Sequence, residues 1–224
     1  MKIGFVIADE NEYYPFLAFA KENNAKESIR RNRESVEFSY MGKDIVAVKA
    51  GIGKVNAATV AAFLIADDKV DAIMSFGLSG AISGLSKNDI VAGSTYTECD
   101  FDLTAIGFPL GKKPQEVYVY KADEKLLKTA LEIEGIKAVA CGCGDLFLAD
   151  KERKDLYKET FSIQEFDMET GAEASVCYDA GIPFLAIRQV SDTADDTAAE
   201  SYRELNRQQP ADLTEIIKKL IEKL

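Results

Sequence analysis

Apolar and polar positions along the chain follow two alternating periods. Residues 2–8, 44–50, 71–76, 89–97, 137–143 and 183–190 are apolar runs with β-branched members, the pattern of buried strands. Residues 117–120 form a shorter run of the same kind, and 36–41 pairs with 44–50 as a hairpin turned at Gly42-Lys43. Between these lie stretches with apolar positions at helical spacing. They cover 11–23, with Pro15 in a first turn, the alanine-rich 56–66, 123–133 behind an Asp123 N-cap, and 151–160. They continue with 169–180, which Gly181 closes, then 198–207 and 210–224, the last with Leu213, Ile216, Ile217, Leu220, Ile221 and Leu224 on one face. Strands alternating with amphipathic helices predict an α/β sheet covered on both faces. No Pro/Gly/Ser linker, repeat or low-complexity stretch interrupts it, so residues 1–224 are expected to form a single domain.

Composition narrows the chemistry. The chain has 224 residues, 27 Lys+Arg, 38 Asp+Glu and no histidine. That excludes a Ser-His-Asp triad, a Cys-His dyad and imidazole metal ligands, and leaves carboxylates, Lys, Tyr, Cys or water for proton transfer. A net charge of −11 argues against nucleic acid as a partner. No apolar run is long enough to span a membrane, and the first one breaks at Asp9-Glu10, short of a signal-peptide core, so a cytoplasmic protein is expected. Cys99, Cys141, Cys143 and Cys177 read as free thiols, since Cys141-Gly-Cys143 lacks the C-x-x-C spacing of zinc or redox motifs.

Ligands of α/β sheets sit where strands end. Five such ends hold unusual residues: Asp9 to Glu12, Ala50 to Lys54, Gly77 to Ala81, Phe166 to Glu169, and Ser191-Asp192. Each has a purely structural reading. Acids after a strand cap helices, glycine pairs make tight turns, and Asp167 with Glu169 can cap the helix that follows. GIGK followed by Val lacks the spacing of a phosphate-binding P-loop.

Taken in order, MKIGFVIADENE, KAGIGKVNAA, DAIMSFGLSGAI, DIVAGSTYTECDFDLTAIGF, GCGDLFL, FDMETGA and PFLAIRQVSDTAD resemble the nucleoside phosphorylase/hydrolase superfamily, and most nearly its 5′-methylthioadenosine/S-adenosylhomocysteine nucleosidase branch. The resemblance spans nearly the whole chain. It implies a mixed central β-sheet flanked by helices on both faces, hydrolysis of the N-glycosidic bond of adenine nucleosides, no cofactor, no metal and a homodimer. It also assigns roles. Asp192 matches the general acid that protonates the purine N7, and an Asp rather than Asn there suits a 6-amino purine. Glu12 matches the carboxylate that activates water. Glu169 matches the acid that holds the ribose hydroxyls, with Met168 against the sugar and Arg188 placed to orient the ribose-side acids or the nucleophilic water. Phe147 matches the aromatic that stacks on adenine, and Leu148 offers backbone groups to the base edge. Ile52, Leu103, Ile106 and Tyr202 fall where the family lines its 5′-substituent pocket, Ile106 at a position contributed across the dimer.

Four positions depart from the family pattern. Leu78 stands where a Ser helps hold water or phosphate, with Ser79 the adjacent hydroxyl. Asp9 stands where an apolar residue lies near the 5′ group, and an acid there suits a polar or cationic substituent. Asp167 shortens the first acid of an E-M-E motif, and Gly171 replaces Ala. Two other functions are weighed against hydrolysis. One is a phosphorylase of the same fold, which uses a basic anion site, whereas no Arg occurs in Met1 to Asn24 or in the glycine segment after Phe76. The other is a non-catalytic nucleoside-binding protein, suggested by Leu78 and Asp9.

Overall fold

The first strand, β1 (Lys2–Ile7), is buried on both faces because helices cover both. Phe5 faces the helix that follows, packing its ring 5.3 Å from Phe16, whereas a Cβ at Gly4 would lie 2.9 Å from Ile73 and crowd Leu64 and Val70. The computed structural model describes residues 1–208 and 213–224. After β1 come α1 (Glu10–Glu22), β2 (Lys26–Arg30), β3 (Arg33–Tyr40), β4 (Lys43–Lys49), α2 (Lys54–Ala66) and β5 (Ala72–Ala81). They are followed by β6 (Ile90–Glu98), a single 3-10 turn at Thr104–Ile106, β7 (Val119–Lys121), α3 (Glu124–Leu131), β8 (Ile136–Cys143) and α4 (Lys151–Phe161). The chain closes with β9 (Glu165–Asp167), α5 (Thr170–Ala180), β10 (Phe184–Asp192), α6 (Ala198–Gln208) and α7 (Thr214–Lys223).

The ten strands form one mixed sheet with two regions. One limb runs β2-β3-β4-β1-β5, antiparallel at its outer edge and parallel between β4, β1 and β5. At β5 the sheet divides. β5 pairs with β10 in parallel and with β9 antiparallel, and the order β10-β6-β8-β9 returns to β5, so five strands close into a ring. β7 lies off this path on β6.

The buried strands and the α/β layering follow the hydrophobic pattern, and the departures have physical reasons. β5 does not stop at Gly77 but runs on through Gly80 to Ala81, because those glycines serve close approach rather than a turn. β2, sequence KESIR, was hidden by its polar, largely exposed edge position. β9 has three residues, two of them acids, yet all are buried. The β3–β4 turn is Met41-Gly42, both at positive φ, with Lys43 already paired to Tyr40. Pro15 lies beyond the first turn of α1, which begins at Glu10. Asp123 caps α3 through the Leu126 N–H, and Gly181 ends α5 in the left-handed conformation. The expected helix 210–224 begins at Thr214, and its positions 210–212 lie outside the described residues. All four cysteines are free and buried. Among the described residues, no helix is long and apolar enough to cross a membrane.

Candidate active site

Segments following β1, β4, β8 and β10, together with the far part of β5 and β9, meet around a cavity whose empty space, including the part open to solvent, is about 600 Å³. Glu12, Glu169 and Asp192 all line it, and all three are buried. Each carboxylate is held by backbone.

Glu12 belongs to the first turn of α1. Asp9 caps that helix by accepting the Asn11 N–H at 2.8 Å, and Glu12 returns a bond to the Asp9 N–H, completing a capping box. The other Glu12 oxygen accepts the Leu78 N–H at 2.8 Å. This clamp across the sheet is possible because residue 77 is glycine. A Cβ there would lie 2.5 Å from Glu12 Oε1. Burial pushes the Glu12 carboxyl up to about 7 against the pull of the Leu78 N–H and Arg188.

Asp192 stands at the end of β10, just past an irregularity in its pairing with β5. Its Oδ1 accepts the Ala194 N–H at 2.8 Å and its Oδ2 the Ser191 hydroxyl at 2.7 Å. Gly80 is the second glycine that makes room, since a Cβ there would lie 3.0 Å from Asp192 Oδ1. Burial again raises the carboxyl above its ordinary value, and the two hydrogen bonds only partly oppose this. Residues 77–80 therefore seat one acid at each end of a four-residue stretch of β5.

Glu169 precedes α5 without capping it. Its Oε1 instead accepts the Gly53 N–H at 2.9 Å, from the loop between β4 and α2. The capping is done by Asp167, whose Oδ1 accepts from the Glu169 N–H, the Thr170 N–H and the Thr170 hydroxyl. Asp167 Oδ2 receives Arg188 Nε at 2.9 Å in a fully buried ion pair. Arg188 also donates to Ser75 Oγ and to the Ile187 carbonyl. Burial opposes the guanidinium's charge, but the Asp167 carboxylate above all keeps it charged, with Glu173, Glu169 and Glu165 adding to this to the extent that they ionise. Glu169 is driven upward by burial first and by the Asp167 charge second.

The remaining expectations divide cleanly. Asp9, Ile52, Leu78, Ser79, Phe147, Leu148, Asp167, Met168 and Tyr202 line the same cavity. Phe147 and Tyr202 meet edge to face, with ring centroids 5.5 Å apart. Arg188 lies behind the lining and reaches it through Asp167. Leu103 and Ile106 do not reach the cavity. They sit at the 3-10 turn after β6, Leu103 half-buried and Ile106 69% exposed. Asp9 also has the structural role of a helix cap.

Two buried carboxylates went unforeseen. Glu165 and Glu173 are fully buried, and none of their oxygens has a hydrogen-bond partner. Cys141 and Ser79 lie beside Glu165, and Ser75 beside Glu173. Desolvation raises both, Glu173 to about 8. The sequence signal was weak. Glu165 sits in QEFD and Glu173 in GAEAS, and charged residues are ordinarily solvated. Among the described residues, no three His, Cys, Asp or Glu are grouped to hold a metal ion.

A buried acid at each end of an aromatic-walled cavity suits a small uncharged ring system, and comparison with known proteins gives it a lineage. Residues 2–222 match the family model described as the phosphorylase superfamily. The chain belongs to the phosphorylase superfamily. Among its relatives, the 5′-methylthioadenosine/S-adenosylhomocysteine nucleosidase of Lysinibacillus sphaericus (strain C3-41) is 32% identical, over 100% of both chains. The 5′-methylthioadenosine/S-adenosylhomocysteine nucleosidase of Helicobacter pylori, solved with butyl-thio-DADMe-Immucillin-A, superposes with a TM-score of 0.95 at 26% identity, covering 100% of this chain and 99% of that one. A native futalosine hydrolase of Helicobacter pylori strain 26695 gives 0.94 and 26%, covering 100% and 98%. The expected mixed α/β architecture is that of these superfamily structures.

Proposed function

We propose that the chain is a nucleosidase that uses water to cleave the N-glycosidic bond of adenine nucleosides of the 5′-methylthioadenosine/S-adenosylhomocysteine type. The observation that carries this reading is the convergence of Glu12, Glu169 and Asp192 on one cavity, each held by backbone N–H groups. Among the described residues, no Lys or Arg lines that cavity, which disfavours phosphate as the nucleophile.

The chemistry divides between the two ends. Asp192, its carboxyl raised by burial, donates a proton to N7 as the C1′–N9 bond breaks and its electron pair passes to the purine. Glu12, with a pKa of about 7, is partly ionised at neutral pH and takes a proton from the water that attacks C1′. Glu169 accepts from the ribose hydroxyls. The positive charge that develops on the sugar favours its ionised form, so this contact strengthens in the transition state. Arg188 fixes Asp167, and Asp167 fixes the backbone that aims Glu169. Phe147 stacks on the base, braced by Tyr202.

A cytoplasmic homodimer completes this reading. Ile106, Phe108, Val117, Tyr118 and Val119 are large apolar side chains left exposed on neighbouring stretches of chain, as in an unpaired interface. In such a pair Ile106 reaches the cavity of the second copy.

The test is release of free base from 5′-methylthioadenosine, S-adenosylhomocysteine, adenosine and futalosine, each with and without phosphate. Adenine released without phosphate is the expected result. Release that depends on phosphate overturns hydrolysis in favour of phosphorolysis.

A further inference from the structure

The glycine loop before α2 is held by more than its own turn. Gly53 adopts φ +97°, and a Cβ on it would lie 3.0 Å from Asp145 Oδ1, so the loop is drawn tight against the segment after β8. That same Asp145 oxygen accepts the Lys54 N–H at 2.8 Å. The Asp145 N–H donates in turn to Asp100 Oδ2 at 2.9 Å. The circuit closes through the Lys54 side chain, whose Nζ lies 2.6 Å from Asp100 Oδ1 and 3.2 Å from Glu98 Oε2. Lys113 neutralises the other Glu98 oxygen. The Lys54 side chain is 17% exposed, so these bonds are partly shielded from water. Burial works against its charge, but the contacts with Asp100 and Glu98 outweigh it and keep the group protonated.

Both ends of this circuit carry groups of the active site. The residue before Lys54 is Gly53, whose N–H is the hydrogen-bond donor to Glu169. Two residues after Asp145 is Phe147, the aromatic wall. We infer that Lys54, with Asp100 and Asp145, is a positioning clamp that aims the Gly53 N–H at the Glu169 carboxylate and ties the sugar end of the cavity to its base-stacking wall. This assigns a role to the GIGK segment, whose lysine holds carboxylates instead of a phosphate. The inference rests on the proposed function, since it takes Glu169 as the ribose anchor.

The Gly53 N–H favours the ionised form of Glu169. A loosened loop therefore leaves Glu169 harder to ionise, and anything that needs its negative charge sets in at higher pH. The experiment measures calorimetrically the affinity for 9-deazaadenosine, a carbon-linked analogue that cannot be hydrolysed, from pH 5 to 9. It uses the wild-type chain, Lys54→Met and Lys54→Arg, with thermal melts of each. Lys54→Met is expected to bind about tenfold more weakly, with the rise of affinity displaced upward by about half a pH unit or more. Lys54→Arg, which can still bridge Asp100 and Glu98, is expected to recover most of both effects. A Lys54→Met chain that binds with wild-type affinity and an undisplaced pH curve overturns the clamp. So does weakening that Lys54→Arg shares equally, or that only follows a lowered melting temperature. A wild-type chain that binds the analogue but releases no base from any nucleoside defeats the hydrolase reading alone. A wild-type chain that binds no analogue defeats both.

Discussion

The two regions of the sheet are held together by opposite means. In the open limb, α1 packs a cluster of aromatic rings onto β1 and β3. Phe16 contacts Phe5, Phe38 and Phe76 at centroid distances of 5.3 to 5.9 Å, and Phe19 meets Phe38 at 5.4 Å. Burial of that kind needs no partner beyond shape. The closed ring instead encloses charge. Glu165, Asp167, Glu169 and Glu173 surround one guanidinium, and two of the four carboxylates have no hydrogen bond at all. Replacing buried charge of this kind by apolar side chains of the same volume is often neutral or stabilising. The contrast teaches where this molecule places its stability and where it gives stability up to hold a site. The elements that cross between them, α1 with Glu12 and β5 with its two glycines, belong to both.

That contrast can be broken from either side. The largest effect is expected from Asp192→Asn. It removes the transferable proton while keeping the side chain's shape, and base release should fall by up to ~10⁴-fold, with nucleoside analogue binding still measurable. Turnover near wild type would remove Asp192 from the acid's role. In the limb, Phe38→Ala should lower unfolding stability by about 3 kcal/mol in urea titrations while the turnover of the folded fraction stays within about twofold. A large loss of turnover in folded protein would mean that limb packing also tunes the site. The smallest effect concerns Glu173, whose carboxyl rises from 4.5 to about 8 on folding. The folded chain holds a proton that the unfolded chain releases, so this group's contribution declines as pH rises from about 4.5 to about 8. Glu173→Gln should thus raise the melting temperature by on the order of 5 °C at pH 8 and by little at pH 4.5. Equal gains at both pH values would show that Glu173 is not carried neutral.

The limb and ring also differed in how far the amino-acid order revealed them. Limb strands such as 44–50 announce themselves because burial on both faces demands unbroken apolar runs. The carboxyl-terminal part of β5 did not, because glycines that admit Glu12 and Asp192 look in isolation like glycines that make a turn. β9 was invisible for a related reason, since its acids are buried by partners far along the chain. The three carboxylates of the cavity were legible only through the resemblance, as each alone reads as an ordinary acid after a strand. Asp9 illustrates the ambiguity, since it lines the cavity and caps α1 at once. Leu103 and Ile106 were placed by analogy at the 5′ pocket, and in one chain they lie away from the cavity, Ile106 on the surface. The Lys54 clamp could not be foreseen from spacing, because its partners lie 44, 46 and 91 residues away.

The two glycines of β5 bind the chain's future as well as its shape. Any lineage in which residue 77 acquires a side chain has no space for a carboxylate from position 12, and one in which residue 80 does so crowds position 192. A side chain gained at 77 forces the Glu12 carboxylate from its place, and one gained at 80 tightens against Asp192 and Ala194. A catalogue of this chain's descendants should therefore show 77 changing with 12, and 80 with 192, so that loss of a glycine marks loss of the chemistry before any assay is run.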